Sequence, residues 1–539
     1  MRSFPQYIAG RDVSGDRWTY VMHADGMIRD TRRSFDVKRR LELGRPVADT
    51  ELDLVAGRCA MGSDEDNLEA LEAAAEASRE LGRKPLAWRR AIGYDFNALI
   101  RERFDDIVDV LVSEGHPWRL AKWEVDGMVE ATGPESIDWA FGQISQTFDD
   151  GERRMLLTRK PDGVVCINPP QNAAGGNSAL GIMTLLAGNS LVVKAPKTSP
   201  LGVMFFFREV VMPVLEAHGA PAGTLNLVSG YSKRILNAWV ESPLVSDIMF
   251  FGDSSSGLKL GKECVARGKK PILELSGNDA FLVWSDADLD AAAEALTESF
   301  YGSGQICMVP KQAVLHPAIA EEFVERFLPK VAAITPRYPS DPEAILSPVL
   351  KMDKFFDFLS EARLDGCEVL CGGERVGIDG KPALDGAFIE PTVVRVRGLN
   401  DARTLRCVSE ETFFPLLPLI VADDAREDVP LADQVLDWMN ANPYGLRNSV
   451  WASDPDLIDA FATGLGNGGL LKVNDSHIGF VRYLGTHGGT GLTGGPFGEL
   501  HYPLFRSSHL QGITFGHGHA RPRGAEDADE PTAAVPLGT

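Results

Sequence analysis

The sequence predicts an α/β protein of more than one domain, and three observations predict it. The chain has 539 residues and a mass of 58.5 kDa, and single cores stop growing near ~250–300 residues. From Ser190 onward the apolar runs SLVVKAP, TLNLVSG, VSDIMFFG and PILELSG alternate with helical patterns, as βαβ units around a mostly parallel sheet require. A comparable alternation resumes from Asp288 to about Val473, so two α/β units are the economical reading.

The elements follow in order. The first sixty residues are mixed. Ser63 can cap a helix whose first turn is acidic and whose Leu68, Leu71 and Ala75 recur at helical spacing. A second helical pattern covers Trp88 to Val112, and a third, more irregular one runs from about Trp118 to Phe148. The segment MLLTRKPDGVVCINPP predicts two strands joined by a hairpin-like bend at Pro-Asp-Gly. Strands are then expected at 190–196, 224–230, 245–252 and 271–277. Helices are expected over Leu201 to His218, about Lys233 to Glu241, and the stretch ending at Gly268.

Composition excludes several classes of function. The chain is 44% hydrophobic and 24% charged, which argues against global disorder. With 54 basic and 76 acidic residues its net charge is −22, so neither nucleic acid nor an anionic membrane is expected as a partner. The basic cluster RDTRRSFDVKRR (29–40) reads as a solvated surface segment. Seven scattered cysteines read as reduced thiols. The N-terminus has no apolar signal core and no run approaches ~18 apolar residues, so a cytoplasmic location is expected. The stretch from Ala520, rich in Pro, Gly, Ala and charge, predicts a disordered tail over 520–539.

Three residues are candidates for chemistry. Cys307 follows the turn-prone Gly302, Ser303 and Gly304, which puts its sulfur on a loop, where it can meet a carbonyl carbon while backbone N–H groups stabilise the oxyanion. The alternative, a small buried hydrophobe, fits Cys166, Cys264 and Cys407 better. Glu274 ends an apolar strand beside Ser276 and Gly277, the place where open α/β sheets put ligands. Burial there would raise its pKa toward a general-base value, while a strand-end glutamate paired to a surface lysine is the plainer alternative. Asn172 is either an oxyanion donor or a simple turn former. Cys367 and Cys371 lack a companion pair at zinc spacing, so no metal site is expected.

Taken in order, GVVCINPPQN, VVKAPKTSP, GTLNLVSG, FFGDSSSG, ELSGND, GSGQIC, SEETFFPLLPL and NPYGLRNSVW resemble the aldehyde dehydrogenase superfamily from about Ser63 to Ser508. The resemblance implies an N-terminal extension at 1–62, a Rossmann-like cofactor domain at 63–150 and 164–275, and a catalytic α/β domain at 276–475. A small β oligomerisation element at 151–163 and 488–511 completes it and implies a homodimer or homotetramer. By motif, Cys307 matches the nucleophile, Glu274 the general base, and Asn172 the oxyanion hole together with the N–H of Cys307. Lys194 matches the lysine that reaches the cofactor ribose, Glu411 the carboxylate on the nicotinamide ribose, Phe413 the aromatic beside the ring, and Gly252 the glycine at the phosphate-facing helix.

The sequence departs from the family pattern in four places. Lys197 stands where NAD-preferring members often carry a glutamate, which favours NADP slightly over NAD. Asp253 replaces the usual serine at the cap of the pyrophosphate-facing helix, where it would repel phosphate unless turned inward onto N–H groups. Bulky aromatics are missing around Asn172, and the C-terminal glycine-rich motif matches loosely. The implied activity is NAD(P)-dependent oxidation of a small-molecule aldehyde to a carboxylic acid through a thiohemiacetal and a thioester. The competing readings are transfer of the acyl group to coenzyme A, and a catalytically silent scaffold or binding protein.

Overall fold

The computed structural model describes residues 1–424 and 426–516. Two seven-stranded sheets form its centre. In the first, strands Lys270–Glu274, Asp247–Phe251, Val164–Asn168, Ser190–Lys194 and Leu225–Val228 lie side by side and parallel. These strands are apolar on both faces because both are covered. Val165, Ile167, Leu191 and Val193 pack into one core, and Val164, Cys166 and Val192, offset by one residue, into another. From Val164–Asn168 the chain builds outward first toward Ser190–Lys194 and then, on the other side, toward Asp247–Phe251. That reversal leaves a crevice at the strands' C-terminal ends. The N-terminal residues extend the far edge: Gln6–Ile8 runs antiparallel to Leu225–Val228, and Arg11–Val13 pairs with Gln6–Ile8.

The second sheet runs in the order Glu368–Cys371, Thr392–Arg397, Leu416–Val421, Gln312–Leu315, Ala280–Val283, Arg447–Trp451 and Leu470–Val473. All but the first strand are parallel. The chain leaves the first sheet at Glu274 and enters the middle of the second at Ala280. Loops at the C-terminal ends of one sheet therefore meet loops at the N-terminal ends of the other.

Helix starts follow local chemistry. Ser63 caps the helix Asp64–Leu81 in a reciprocal capping box with Asp66. The irregular run predicted as helix from Trp118 to Phe148 is two helices, Trp118–Ala131 and Pro134–Gln143, followed by a strand, Ser145–Asp149. Pro134 cannot continue the first helix but suits the first turn of the next. The hairpin expected at Pro-Asp-Gly does not form. Arg153–Pro161 pairs with Ser145–Asp149 on one side and with Ser508–Gly516 on the other, whereas Val164–Asn168 enters the first sheet. The bend hands the chain from ribbon to sheet, with Gly163 at φ +131° and Ser246 Oγ donating to the Asp162 carbonyl. The expected tail from Ala520 lies outside the described residues. Among the described residues, no helix is long and apolar enough to cross a membrane.

Candidate active site

At the seam between the sheets the chain presents its reactive residues. Cys307 follows three consecutive left-handed residues, Gly302, Ser303 and Gly304, at φ +58°, +58° and +69°. Ser303 is held in this costly conformation by hydrogen bonds in both directions with Ser347, at 2.6 and 3.0 Å. A side chain at Gly304 would meet the Phe414 carbonyl at 2.7 Å. The loop is thus fixed by its surroundings and delivers a half-buried Cys307 between Ile306 and Met308.

Asn172 lies just past the crevice end of Val164–Asn168, and its side-chain amide donates to the Gln305 carbonyl at 2.9 Å. Gln305 in turn donates to Pro348 O and accepts from Leu350 N, both close to 3 Å. The amide is therefore tied to the loop that carries Cys307 through a contact spanning 133 positions. Glu274 is almost fully buried, with Oε2 accepting the N–H of Gly488 at 2.9 Å. Burial pushes it up to about 8, against the pull of Gly488 and Arg506. Burial likewise pushes the Cys307 thiol up to about 12, helped by Glu411, Asp279 and Glu274 and opposed by Lys311. The charge of Glu274 is thus felt at the sulfur.

Glu411 accepts the N–H of Gly277 at 2.9 Å. Phe413 lies between two cations, with Lys311 Nζ 5.4 Å and Lys351 Nζ 5.6 Å from the ring centroid. A second group gathers at the ends of the first sheet. Lys194 is buried, its pKa lowered to about 8 by desolvation, with no ion pair among the described residues. Gly252 is exposed ahead of the helix Ser254–Ala266, and Asp253 turns inward, its carboxylate accepting the N–H of Ser256 at 2.9 Å. Partial burial would raise Asp253, but the hydrogen bonding at Ser256 and nearby Lys351 outweigh it and hold it low. Lys197, three residues beyond Lys194, is exposed, with Nζ 4.6 Å from the centroid of the Tyr231 ring.

Sequence reasoning missed several buried partners. His116 donates from Nδ1 to Glu124 at 2.6 Å and from Nε2 to the Gln171 carbonyl at 2.9 Å. Both neighbours are acceptors, so the ring must carry both protons. Burial opposes that charge, but Glu124 outweighs it and the His116 pKa rises. Glu124 also accepts the N–H groups of Gly175 and Gly176 at 2.7 and 3.1 Å, which anchors the turn carrying Asn172. His487, His501, Tyr231 and Arg234 were also missed. None lies in a run whose periodicity or spacing marks it.

Cys307 lines a small apolar pocket with Trp123, Leu180, Met183, Ile306, Met308 and Phe480 among its other lining residues, and among the described residues no Lys or Arg lines it. It shares Ala131, Leu180, Met183, Phe480 and Thr486 with a second pocket lined by Trp139, Tyr483, Tyr502 and Phe505.

Two docked, mostly parallel sheets with a crevice at a strand-order switch define an α/β fold, and the comparisons with known proteins give its family. Residues 39–501 match the aldehyde dehydrogenase family model. The chain is 30% identical to a 3,6-anhydro-alpha-L-galactose dehydrogenase of Vibrio sp. (strain EJY3), over 80% of this chain and 87% of that one. It is 29% identical to a vanillin dehydrogenase of Corynebacterium glutamicum, over 75% and 81%. A crystal structure of an NAD-dependent aldehyde dehydrogenase from Sinorhizobium meliloti shares the fold, with a TM-score of 0.80 at 22% identity over 97% and 96% of the two chains. The chain belongs to the aldehyde dehydrogenase family. Its class is that of an NAD(P)-dependent enzyme.

Proposed function

We propose that the chain oxidises an uncharged aldehyde to a carboxylic acid through a covalent thioester on Cys307, using NADP at least as well as NAD. The observation that carries this reading is Cys307 in the lining of an apolar pocket, with Asn172 bound to the carbonyl of the neighbouring Gln305 and the Glu274 carboxylate close enough to bear on the thiol. Cys307 gives up its proton to solvent and attacks the aldehyde carbon, and the oxyanion formed is stabilised by the Asn172 amide and the backbone N–H of Cys307. NAD(P), when bound, would accept the hydride that leaves the aldehyde carbon as the thioester forms. Glu274 then takes a proton from water as the water attacks the thioester, releasing the acid and the thiol.

The residues present fit the cofactor. Lys194 is a buried cation with no ion-pair partner of its own among the described residues, a donor suited to ribose hydroxyls. Asp253 takes the N–H of Ser256, so a phosphate at the start of the helix Ser254–Ala266 would share that terminus with the carboxylate, whose charge should weaken NAD and NADP alike. Lys197 shares the Tyr231 ring with Arg234, which lies 6.0 Å from its centroid, and these two exposed cations are our proposed contacts for a 2′-phosphate.

The cavity argues for the substrate's charge. Among the described residues Glu124 is the one carboxylate in its wall and is committed to His116 and two backbone N–H groups, while burial lowers His487 to about 3 and leaves it neutral. Nothing there compensates a second carboxylate or a phosphate on the substrate. Benzaldehyde should therefore exceed succinic semialdehyde in kcat/KM by at least about tenfold, and Cys307→Ala should abolish turnover while cofactor binding, read by fluorescence, persists. The reverse substrate order would overturn the assignment of charge, and turnover by the alanine variant the assignment of the nucleophile.

A further inference from the structure

His501 belongs to none of the motifs that mark the site. It lies in the short strand Leu500–His501, paired antiparallel with His487–Gly488, and is 3% exposed. Its Nε2 is 3.2 Å from Glu274 Oε1, while Oε2 of the same carboxylate accepts the N–H of Gly488. Both oxygens of Glu274 therefore face one two-stranded ribbon. The contact is close but not aligned as a hydrogen bond. Glu274 Oε1 and both ring nitrogens of His501 are shut from solvent and have no hydrogen bond among the described residues. Burying a donor and an acceptor this close without pairing them is costly, and a small rotation of the ring satisfies both.

We infer that His501 is a positioning residue for the base, its Nε2–H donating to Glu274 Oε1 and, together with Gly488, holding the carboxylate ionised and oriented. The inference rests on reading Glu274 as the base of the aldehyde oxidation. The groups that face the pair are His487 on the adjoining strand, Arg506 of the helix Pro503–Arg506, itself paired to Glu499, and the Cys307 thiol. Burial, then Arg506 and His487, disfavour an imidazolium at His501, so the ring is neutral and has one N–H to give. A donor to a carboxylate favours the ionised form. Losing it raises Glu274 further, and hydrolysis of the thioester, which needs the carboxylate, moves to higher pH.

The test compares the full-length wild type with His501→Leu, which has no donor, and His501→Gln, which keeps one. Infrared difference spectra of each protein against its own Glu274→Gln partner follow the ionisation of Glu274 in the absence of aldehyde. The midpoint should rise by about one pH unit in the leucine variant and return most of the way in the glutamine variant. In turnover, the leucine variant should lose about tenfold in the steady state at neutral pH while keeping the initial burst of reduced cofactor. Superimposable titrations in all three proteins would overturn the inference. A shifted titration in a wild type that oxidises no aldehyde would uphold the positioning and sink the proposed reaction instead. Should the leucine variant not fold, His501→Asn, too short to reach Oε1, takes its place.

Discussion

Gly277 offers the most direct test of how the nucleophile is held. It sits in the link between the two sheets, and its N–H donates to Glu411. A Cβ built there would lie 2.2 Å from the Cys307 carbonyl oxygen and 3.1 Å from its carbonyl carbon. Carbon and oxygen rest near 3.2 Å at closest, so Gly277→Ala must push the backbone of Cys307 away by about 1 Å. Misplacing a reacting group by that much costs ~10²-fold in rate, or ~2.7 kcal/mol of barrier, and overpacking costs a further ~1–3 kcal/mol of stability. The assay is the amplitude and rate of the cofactor burst, followed by steady-state kcat and thermal unfolding. Both kinetic phases should fall together, because the displacement precedes every chemical step. Gly142→Ala is the control: nothing lies within 4 Å of its Cβ, in the helix Pro134–Gln143. It should be neutral or stabilising by up to ~1 kcal/mol. Unchanged kcat/KM in Gly277→Ala would refute the close approach on which the reasoning rests.

Two further outcomes follow. Glu274→Gln should retain the burst and slow the steady state. Wild-type turnover should climb as pH rises toward about 8, where the buried carboxyl ionises, and the variant should lose that climb; equal losses in burst and steady state would assign Glu274 to thiol activation instead. Lys197→Glu should shift preference toward NAD, because a lost charge-assisted contact is worth roughly one to two decades in NADP affinity. Measured as kcat/KM for both cofactors, a strong wild-type preference for NAD that survives the substitution would show that Lys197 does not face the 2′ position.

The sequence made the local features of the site legible and left the long-range ones hidden. The glycines before Cys307 announce a turn, and three left-handed residues in succession occupy it. The apolar strand around Glu274 announces burial, and burial sets its ionisation. Asn172 meets Gln305 only because two sheets are docked, and nothing near either residue encodes that contact. The misread hairpin has the same origin. Arg153–Pro161 and Val164–Asn168 look like partners because they are adjacent, yet the nine-residue partner of the first lies at Ser508–Gly516. His501 occupies a strand too short for any period to be read, and its importance comes from the single atom it faces.

The electrostatics of the seam explain why this sulfur rests protonated. Three carboxylates, Glu411, Asp279 and Glu274, bear on Cys307. The cation that opposes them, Lys311, is buried and spends its hydrogen bonds on the carbonyls of Gly304 and Thr412. The sulfur therefore rests as a thiol, the form least open to oxidation. Burial and the neighbouring carboxylates thus set the resting form of the sulfur, while Glu274, raised by burial, is left for the water that attacks the thioester. Burial raises the Cys307 thiol and the Glu274 carboxyl alike, so nucleophile and base are tuned by one buried seam.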